Sequence, residues 1–361
     1  MHIVQYKDYI SYLVSTIVSD STKTKRYLKK TFSDAGITFE NEQTLLEGTQ
    51  ELDFSGSVLD DQLVNCITKD PSAVSIYEEW EFTKDYKYSS VFTANNFSKL
   101  TSEISQIQKH IKNNTENNLY DDLLNPTIYE LSDLSLIKFN LKFEAIHPLT
   151  EKELLLKYPV IIAIHKKYNI IELRFDTLKR VFMLDNSQTF YSDLIQNIRS
   201  YFQQKFDIEF KPIDLNFVIE KAKKQDEIKL VAQYMKLANG GCAQLEVGNN
   251  DEYVLPLIGE LKSLMSEHQI ALEKNPEIKE ALEQFIYEKE EMSDYPWIEA
   301  LWENEIKTRS FHVKFVFNYM NKGYCLLQHY FNGVLNGMER MNRVIEFIGE
   351  NKADYPNSNQ A

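Results

Sequence analysis

The chain has 361 residues, a formal net charge of −14 and 43% hydrophobic residues. That length predicts two domains, or one domain with a substantial extension, and the composition is that of a folded protein. No run of about eighteen apolar residues occurs, so we expect no membrane span, and the N-terminal residues lack the features of a secretory signal. The three cysteines lie far apart, which argues against a disulfide framework and favours a cytoplasmic protein.

The glycine spacing argues against several classes of enzyme. No glycine lies between Gly56 and Gly240, and neither GxGxxG nor GxxxxGK[ST] occurs. P-loop ATPases, kinases and dinucleotide-binding domains need such glycines for close approach of the backbone to phosphate. GxSxG, HExxH and CxxC are also missing from the sequence. We therefore expect no cofactor and leave open whether the protein is an enzyme.

Residues 1–134 are predicted to form a mostly helical N-terminal region with long acidic loops. The residues from Tyr6 to Lys30 have helical spacing, whereas 33–62 are predicted to be loop. Five apolar residues further on recur at intervals of three and four, which places them on one stripe of a predicted helix. They are Phe97, Leu100, Ile104, Ile107 and Ile111. This stripe is predicted either to bind a partner or to pack on its own domain.

Residues 135–255 are predicted to form an α+β domain. Apolar residues alternate with polar ones over 137–144, which predicts a strand with one side facing solvent. A capping box at Thr150 predicts a short helix that ends before Pro159. A hairpin is predicted over 160–175, helices over 188–224, and a second hairpin around Asn239-Gly240.

Residues 256–350 are predicted to be acidic helices followed by a C-terminal hairpin and helix. Helical stripes indicate helices from 258 to 290 and a third over Asp294–Trp302. Strands are predicted over 311–319 and 324–331, a helix over 336–348, and a disordered tail over 351–361. The predicted fold class is therefore α+β, with antiparallel hairpins and long helical insertions.

One set of residues resembles the pattern of a metal-dependent nuclease of the PD-(D/E)xK type. Asp251, Glu260 and Lys262 supply an acid followed by a D/E-x-K, in which the acids would hold Mg²⁺ and the lysine would polarise water or phosphate. Against this, Glu260 and Lys262 fall within a helical stripe, where residues two apart face different sides. The nuclease is kept as the alternative function.

A second set is basic. Residues 146–224 carry 13 basic and 10 acidic residues, against 7 and 18 in residues 225–307. Lys166, Lys167, Lys179 and Arg180 are the predicted nucleic-acid-binding residues, since phosphate contacts need a basic surface. A solvated lysine face beside an aromatic core is the alternative interpretation.

Two further sets could hold a metal. Glu172, Arg174 and Asp176 share one face of a predicted strand, where they would form either a carboxylate pair or an ion-pair ladder. His312, Cys325 and His329 could bind zinc only if the C-terminal hairpin pairs Asn321 with Lys322, because a slip of one residue separates the histidines. We predict no metal site from either set.

The leading prediction is a non-catalytic binding or interaction protein. The missing catalytic motifs and the acidic helices favour a protein partner, with nucleic acid as a second candidate ligand, no membrane and an undefined oligomeric state. The lysine- and asparagine-rich composition favours a low-GC bacterium or its phage, and hence a subunit of a phage-defence or counter-defence complex.

Overall fold

The computed structural model describes residues 6–37, 58–111, 118–183, 188–224, 228–237, 239–247, 256–290, 292–303, 310–331 and 337–352. Helices and mainly antiparallel strands are both present, which confirms the predicted α+β class. The chain divides into two compact units. Unit 1 is Met1–Tyr86, Phe92–Lys211 and Leu335–Glu339, and unit 2 is Lys87–Val91, Pro212–Val334 and Arg340–Ala361. The predicted borders after residues 134, 255 and 350 divide the chain differently and stay predictions.

Unit 1 begins with four helices, which are α1 (Tyr6–Ser19), α2 (Thr22–Asp34), α3 (Leu59–Lys69) and α4 (Pro71–Thr83). The start of α4 follows from local chemistry. Asp70 accepts a hydrogen bond from the amide of Ser72 and so caps the helix. Pro71 occupies the first helical position, where its lack of an N–H costs no hydrogen bond within the helix. Tyr9, Leu13 and Ile17 of α1 lie in one apolar cluster with residues of α2, α3 and α4.

The rest of unit 1 is β1 (Tyr88–Ala94), α5 (Phe97–Ile104), β2 (Gln108–Lys109), β3 (Thr127–Glu130), β4 (Leu134–Ile146), β5 (Glu153–His165), β6 (Ile170–Phe175), α6 (Phe190–Phe206) and β7 (Phe210–Pro212). Only the last residues of β1 and the first residues of β7 belong to unit 1. Strands β2 to β6 pair in chain order, antiparallel except for β2 with β3. His165 pairs with Ile170, which confirms the predicted hairpin and its register.

The helix predicted before Pro159 is wrong, because β5 runs from Glu153 through Pro159 to His165. Proline lacks the N–H that a central strand uses for its second neighbour. Pro159 pairs with Asn140 of β4, whereas the last pair with β6 is Ile161 with Arg174. Pro159 therefore lies where β5 has one neighbour, and its missing N–H costs no hydrogen bond to a second strand.

The two faces of this sheet differ in chemistry. One face packs on α6, where the Phe139 and Tyr201 rings lie 5.0 Å apart and edge to face. The other face carries Lys138 and Lys157, both at most 2% exposed. The predicted solvent-facing side of β4 is therefore wrong over Lys138, because α4 covers it.

Two lysines and two glutamates form a buried network between α4 and the sheet. The Lys138 ammonium lies 2.5 Å from a carboxylate oxygen of Glu78 and 3.0 Å from one of Glu81. The Lys157 ammonium lies 2.8 Å from the other oxygen of Glu78 and also pairs with Glu81. Charges removed from water need such partners, because an isolated buried ion is strongly unfavourable. The network accordingly fixes α4 over β4 and β5.

Unit 2 contains α7 (Phe217–Lys224), β8 (Lys229–Lys236), β9 (Cys242–Glu246), α8 (Ile258–Glu267), α9 (Gln269–Glu273), α10 (Pro276–Glu290), β10 (Asp294–Trp302), β11 (Phe311–Val316), β12 (Leu326–Phe331) and α11 (Glu339–Asn351). Its strands pair antiparallel in the order β1, β12, β11, β10, β8, β9, with Tyr88 and Ser89 supplying the β1 pairs. One face packs on α11, where the rings of Trp302 and Phe347 lie 5.6 Å apart.

Several predictions for unit 2 are confirmed and one is wrong. The hairpin at Asn239-Gly240 joins β8 to β9, and helices occupy most of 258–290. The helix predicted over Asp294–Trp302 is strand β10, because residues 297–301 pair with β8 on one side and with β11 on the other. Across the described ranges, no helix has the length and apolarity that a membrane crossing requires.

Candidate functional site

One face of the unit 2 sheet carries lysine and aromatic side chains that are not buried. We call it the lysine–aromatic face and define it by Lys87, Tyr234, Trp297, Lys314 and Tyr330. These five residues are each partly exposed, and the last four come from four neighbouring strands. A ligand can therefore reach this face, in contrast to the buried lysine network of unit 1.

The strand register brings these side chains together. Trp297 of β10 pairs with Tyr234 of β8, and Glu299 pairs with Lys314 of β11. Residues two apart on a strand point to the same face, so Trp297 and Glu299 share a side with Lys314. Burial alternates residue by residue along β11, which agrees with one buried and one accessible face.

The Trp297 ring is the centre of the face. Its centroid lies 3.4 Å from the Lys314 ammonium and 6.3 Å from the Tyr234 ring, which is inclined by only 14°. An ammonium over an indole is a cation–π contact, the strongest that an aromatic side chain offers. No carboxylate in the described part of the chain forms an ion pair with Lys314.

Burial sets the electrostatics of Lys314. Partial burial lowers its pKa, although Glu299 and Glu246 act in the opposite direction. A lowered lysine pKa means that the surroundings disfavour the positive charge. An anion beside this ammonium would stabilise the charged form of Lys314, which burial disfavours. Lys314 is therefore suited to bind an anion.

A second lysine–ring contact lies further along the face. The Lys87 ammonium is 3.7 Å from the centroid of the Tyr330 ring, and it also donates to the carbonyl oxygen of His329. Burial lowers the pKa of Lys87 as well, with Glu299 opposing it. Glu299 itself lies 3.0 Å from Nδ1 of His312. The Glu299 carboxylate therefore lies near both Lys87 and Lys314, the two lysines whose ammonium groups contact aromatic rings.

The structure describes two of the three residues of the nuclease hypothesis. Asp251 lies outside the described residues, while Glu260 and Lys262 lie on α8 rather than on a strand. The Glu260 carboxylate accepts a hydrogen bond from the amide of Leu257, and Lys262 pairs with Glu290. Both residues thus have local structural partners, and the D/E-x-K pattern falls on different sides of a helix.

The four basic residues are divided between two ends of β6. Lys166 and Lys167 lie in the turn before this six-residue strand, whereas Lys179 and Arg180 lie beyond its other end, about 20 Å away. Lys166 pairs with Glu130, and Lys179 donates to the carbonyl oxygen of Ser19. They therefore do not form one basic surface.

The apolar stripe that starts at Phe97 is not an open partner surface. Helix α5 ends at Ile104 instead of continuing to Ile111, and Lys109 already lies in β2. Leu100, Ile104 and Ile107 are buried, and among the stripe residues only Ile111 is largely exposed. The helical spacing indicated the buried side of a short helix.

The structure also shows where the residues of the other two candidate sets lie. Glu172 and Arg174 form a fully buried ion pair with a 2.6 Å contact, while Asp176 pairs with Lys84. Val313 pairs with His329, so His312 and His329 lie on opposite faces, which is the one-residue slip that rules out a shared zinc ion. Among the described residues, no three His, Cys, Asp or Glu side chains are placed to hold a metal.

The lysine–aromatic face was missed because β10 was predicted to be a helix. The signal that could have found it is the alternation in β11, where His312 and Lys314 lie between apolar residues.

Comparisons with protein-family models, with curated proteins and with solved structures found no match. The geometry of the lysine–aromatic face is therefore what supports a function.

Proposed function

We propose that the protein is a non-catalytic binding protein that holds single-stranded nucleic acid on its lysine–aromatic face. The observation that carries this proposal is the Lys314 ammonium, 3.4 Å from the Trp297 ring on an accessible sheet face, with no ion pair among the described residues. Nucleic-acid-binding sheets combine aromatic side chains that stack on bases with cations that meet phosphate. Tyr234 and Tyr330 supply further rings beside the two lysines.

The acidic balance of the chain limits how such binding would work. Two lysines on the face neutralise few phosphates, so the release of counterions contributes little to binding. A plot of the logarithm of the association constant against the logarithm of the salt concentration should have a slope of about −1.4. Stacking then has to supply most of the affinity, at about 1–3 kcal/mol for each base. Weak salt dependence therefore distinguishes this site from a basic patch.

Intrinsic fluorescence provides a direct test. Trp80 and Trp302 are at most 5% exposed, whereas Trp297 is partly exposed, so quenching by a stacked base reports on Trp297. We expect oligo-dT and oligo-U of about 16 nucleotides to quench this fluorescence and to raise the anisotropy of a labelled strand. A duplex of the same length, whose bases are already stacked, should bind much more weakly.

Two variants and one control separate stacking from charge. Trp297→Ala should weaken single-strand binding by about tenfold or more, since one base loses its ring. Lys314→Gln should reduce the salt slope by about 0.7. Lys322→Gln, at an exposed lysine outside the lysine–aromatic face, serves as the matched control. Absence of binding by the unaltered protein, or equal losses in Lys314→Gln and Lys322→Gln, would contradict the proposal.

The other functional predictions are kept apart from this proposal. Glu260 and Lys262 lie on α8, where Lys262 pairs with Glu290, so no nuclease step is proposed from them and the nuclease stays the alternative prediction. A protein partner, an origin in a low-GC bacterium or phage, and a role in phage defence or counter-defence stay predictions from composition. Purification from the native host with absorbance at 260 and 280 nm would show whether nucleic acid accompanies the protein.

A further inference from the structure

The helical segment formed by α8, α9 and α10 makes almost no core of its own. Not one residue of these three helices is buried. Helices in proteins usually gain most of their stability from packing an apolar face, and short isolated helices are marginal in water. A segment of this length without a buried side chain therefore gains little stability from a core of its own.

The apolar side chains of the segment form helical stripes that are open to solvent. On α10, Ile278 and Phe285 lie seven residues apart and are 56% and 47% exposed. Leu282 lies between them at helical spacing and is partly exposed. On α8 and α9, Leu264 and Ile270 are 51% and 73% exposed. Large exposed apolar groups at regular spacing mark contact sites for another helix.

Local pairs explain how the helices persist without burial. Gln284 donates to Glu288 four residues later, and Lys279 pairs with Glu283 at the same spacing. Pairs at this spacing stabilise an isolated helix by a few tenths of a kcal/mol each. The Glu290 carboxylate also receives Lys262 of α8. The Lys289 ammonium also lies 5.4 Å from the centroid of the Phe285 ring, yet this ring stays 47% exposed.

The charge around the stripe determines the kind of partner. The segment carries the lysines Lys262, Lys274, Lys279 and Lys289, and twice as many carboxylates. The carboxylates are Glu260, Glu267, Glu273, Glu277, Glu280, Glu283, Glu288 and Glu290. A second copy of this chain would bring two such acidic surfaces together, and like charges at an interface oppose association. A basic surface would be attracted.

We propose that α8–α10 is the docking surface for a basic amphipathic helix of a partner protein. The apolar side of that helix would contact Ile278 and Phe285, and its lysine or arginine side chains would meet the surrounding glutamates. This arrangement is the helix-in-groove type of recognition, in which apolar anchors supply affinity and charge supplies orientation. It is independent of nucleic-acid binding by the lysine–aromatic face.

The test uses a defined peptide with the full-length protein. The probe is a fluorescein-labelled peptide of about 18 residues, made of leucine and lysine in amphipathic order. Its control has the same composition in scrambled, non-amphipathic order. We expect the ordered peptide to bind more tightly by about tenfold or more, and the double variant Ile278→Ser/Phe285→Ser to remove that advantage.

Matched variants keep the result interpretable. Gln284→Ser lies beside Phe285 but off the stripe, so it should retain binding, and circular dichroism checks that each variant keeps its helices. Equal binding of the ordered and scrambled peptides would overturn the proposal, because charge alone would then explain it. A concentration-dependent dimer that Phe285→Ser dissociates in sedimentation would also overturn it, since a second copy would be the occupant. Oligo-dT binding should be unchanged in these variants.

Discussion

Replacing Lys138 by methionine tests the buried charge network of unit 1 most directly. Methionine has a similar length to the lysine stem, so packing against Phe82, whose ring centroid lies 4.5 Å from the ammonium, is largely kept. What disappears is the positive charge and its contacts with Glu78 and Glu81. The ammonium also donates to the Glu78 carbonyl oxygen at 2.9 Å, and that bond is lost as well.

The expected cost is large because the remaining charges cannot reach water. Glu78 and Glu81 are at most 1% exposed, and after the substitution only Lys157 neutralises them. Removing one partner of a buried pair typically costs about 3–5 kcal/mol, while a whole domain is stable by about 5–15 kcal/mol. Lys138→Met should therefore lower the urea midpoint strongly, and the double variant Lys138→Met/Glu78→Gln should recover much of the loss.

The loss of stability caused by Lys138→Met should depend on pH. Burial raises the pKa of Glu78, but Lys138 and Lys157 more than offset it and hold that pKa below its usual value. Without Lys138 the pKa of Glu78 rises, so the folded variant takes up a proton that the unfolded chain does not yet bind. The loss of stability should thus be larger at about pH 8 than at about pH 5. A pH-independent loss, or a loss below about 1 kcal/mol, would refute the reasoning.

Three further outcomes follow from single residues. Burial raises the pKa of Glu172, but Arg174 and His165 outweigh burial and hold that pKa at about 2. Glu172→Gln should therefore lower the free energy of unfolding by about 3 kcal/mol at neutral pH. Urea titrations should show this loss becoming progressively smaller from about pH 4.5 down to pH 2. Gly337→Ala would place a Cβ 2.9 Å from a backbone oxygen at φ +65° and should lower the melting temperature more than Gly323→Ala, where φ is +74° but the space is open. Native thiol titration should label Cys242 alone, with the two buried cysteines reacting only after unfolding.

Local sequence patterns predicted elements well where one period dominates. The hairpin that ends in Phe175 was predicted with its register, because alternation and turn residues agree there. They failed where a strand lies between two neighbours. Residues 294–302 satisfy a helical stripe, yet β8 and β11 flank them on both sides, and such pairing is not local information. The helix predicted before Pro159 failed for a related reason. The strand there has β4 as its neighbour, and that pairing is not visible in the residues of the strand itself.

The chemistry of a face depends even more on distant elements, as two lysines show. Lys138 and Lys314 both alternate with apolar residues on a strand, and the local pattern is the same. Helix α4 covers Lys138, whereas Lys314 stays accessible over Trp297. Lys314→Met should consequently change the free energy of unfolding by less than about 1 kcal/mol, because a partly exposed lysine loses little beyond its ring contact.

Comparing Lys138→Met with Lys314→Met in the same urea assay therefore measures what the covering helix contributes. The first should destabilise the protein by several kcal/mol with oligonucleotide binding intact in the folded fraction. The second should leave stability nearly unchanged while weakening oligo-dT binding and its salt dependence. Equal destabilisation by the two variants would mean that Lys314 also serves the fold, and the lysine–aromatic face would then lose its claim to be a binding site.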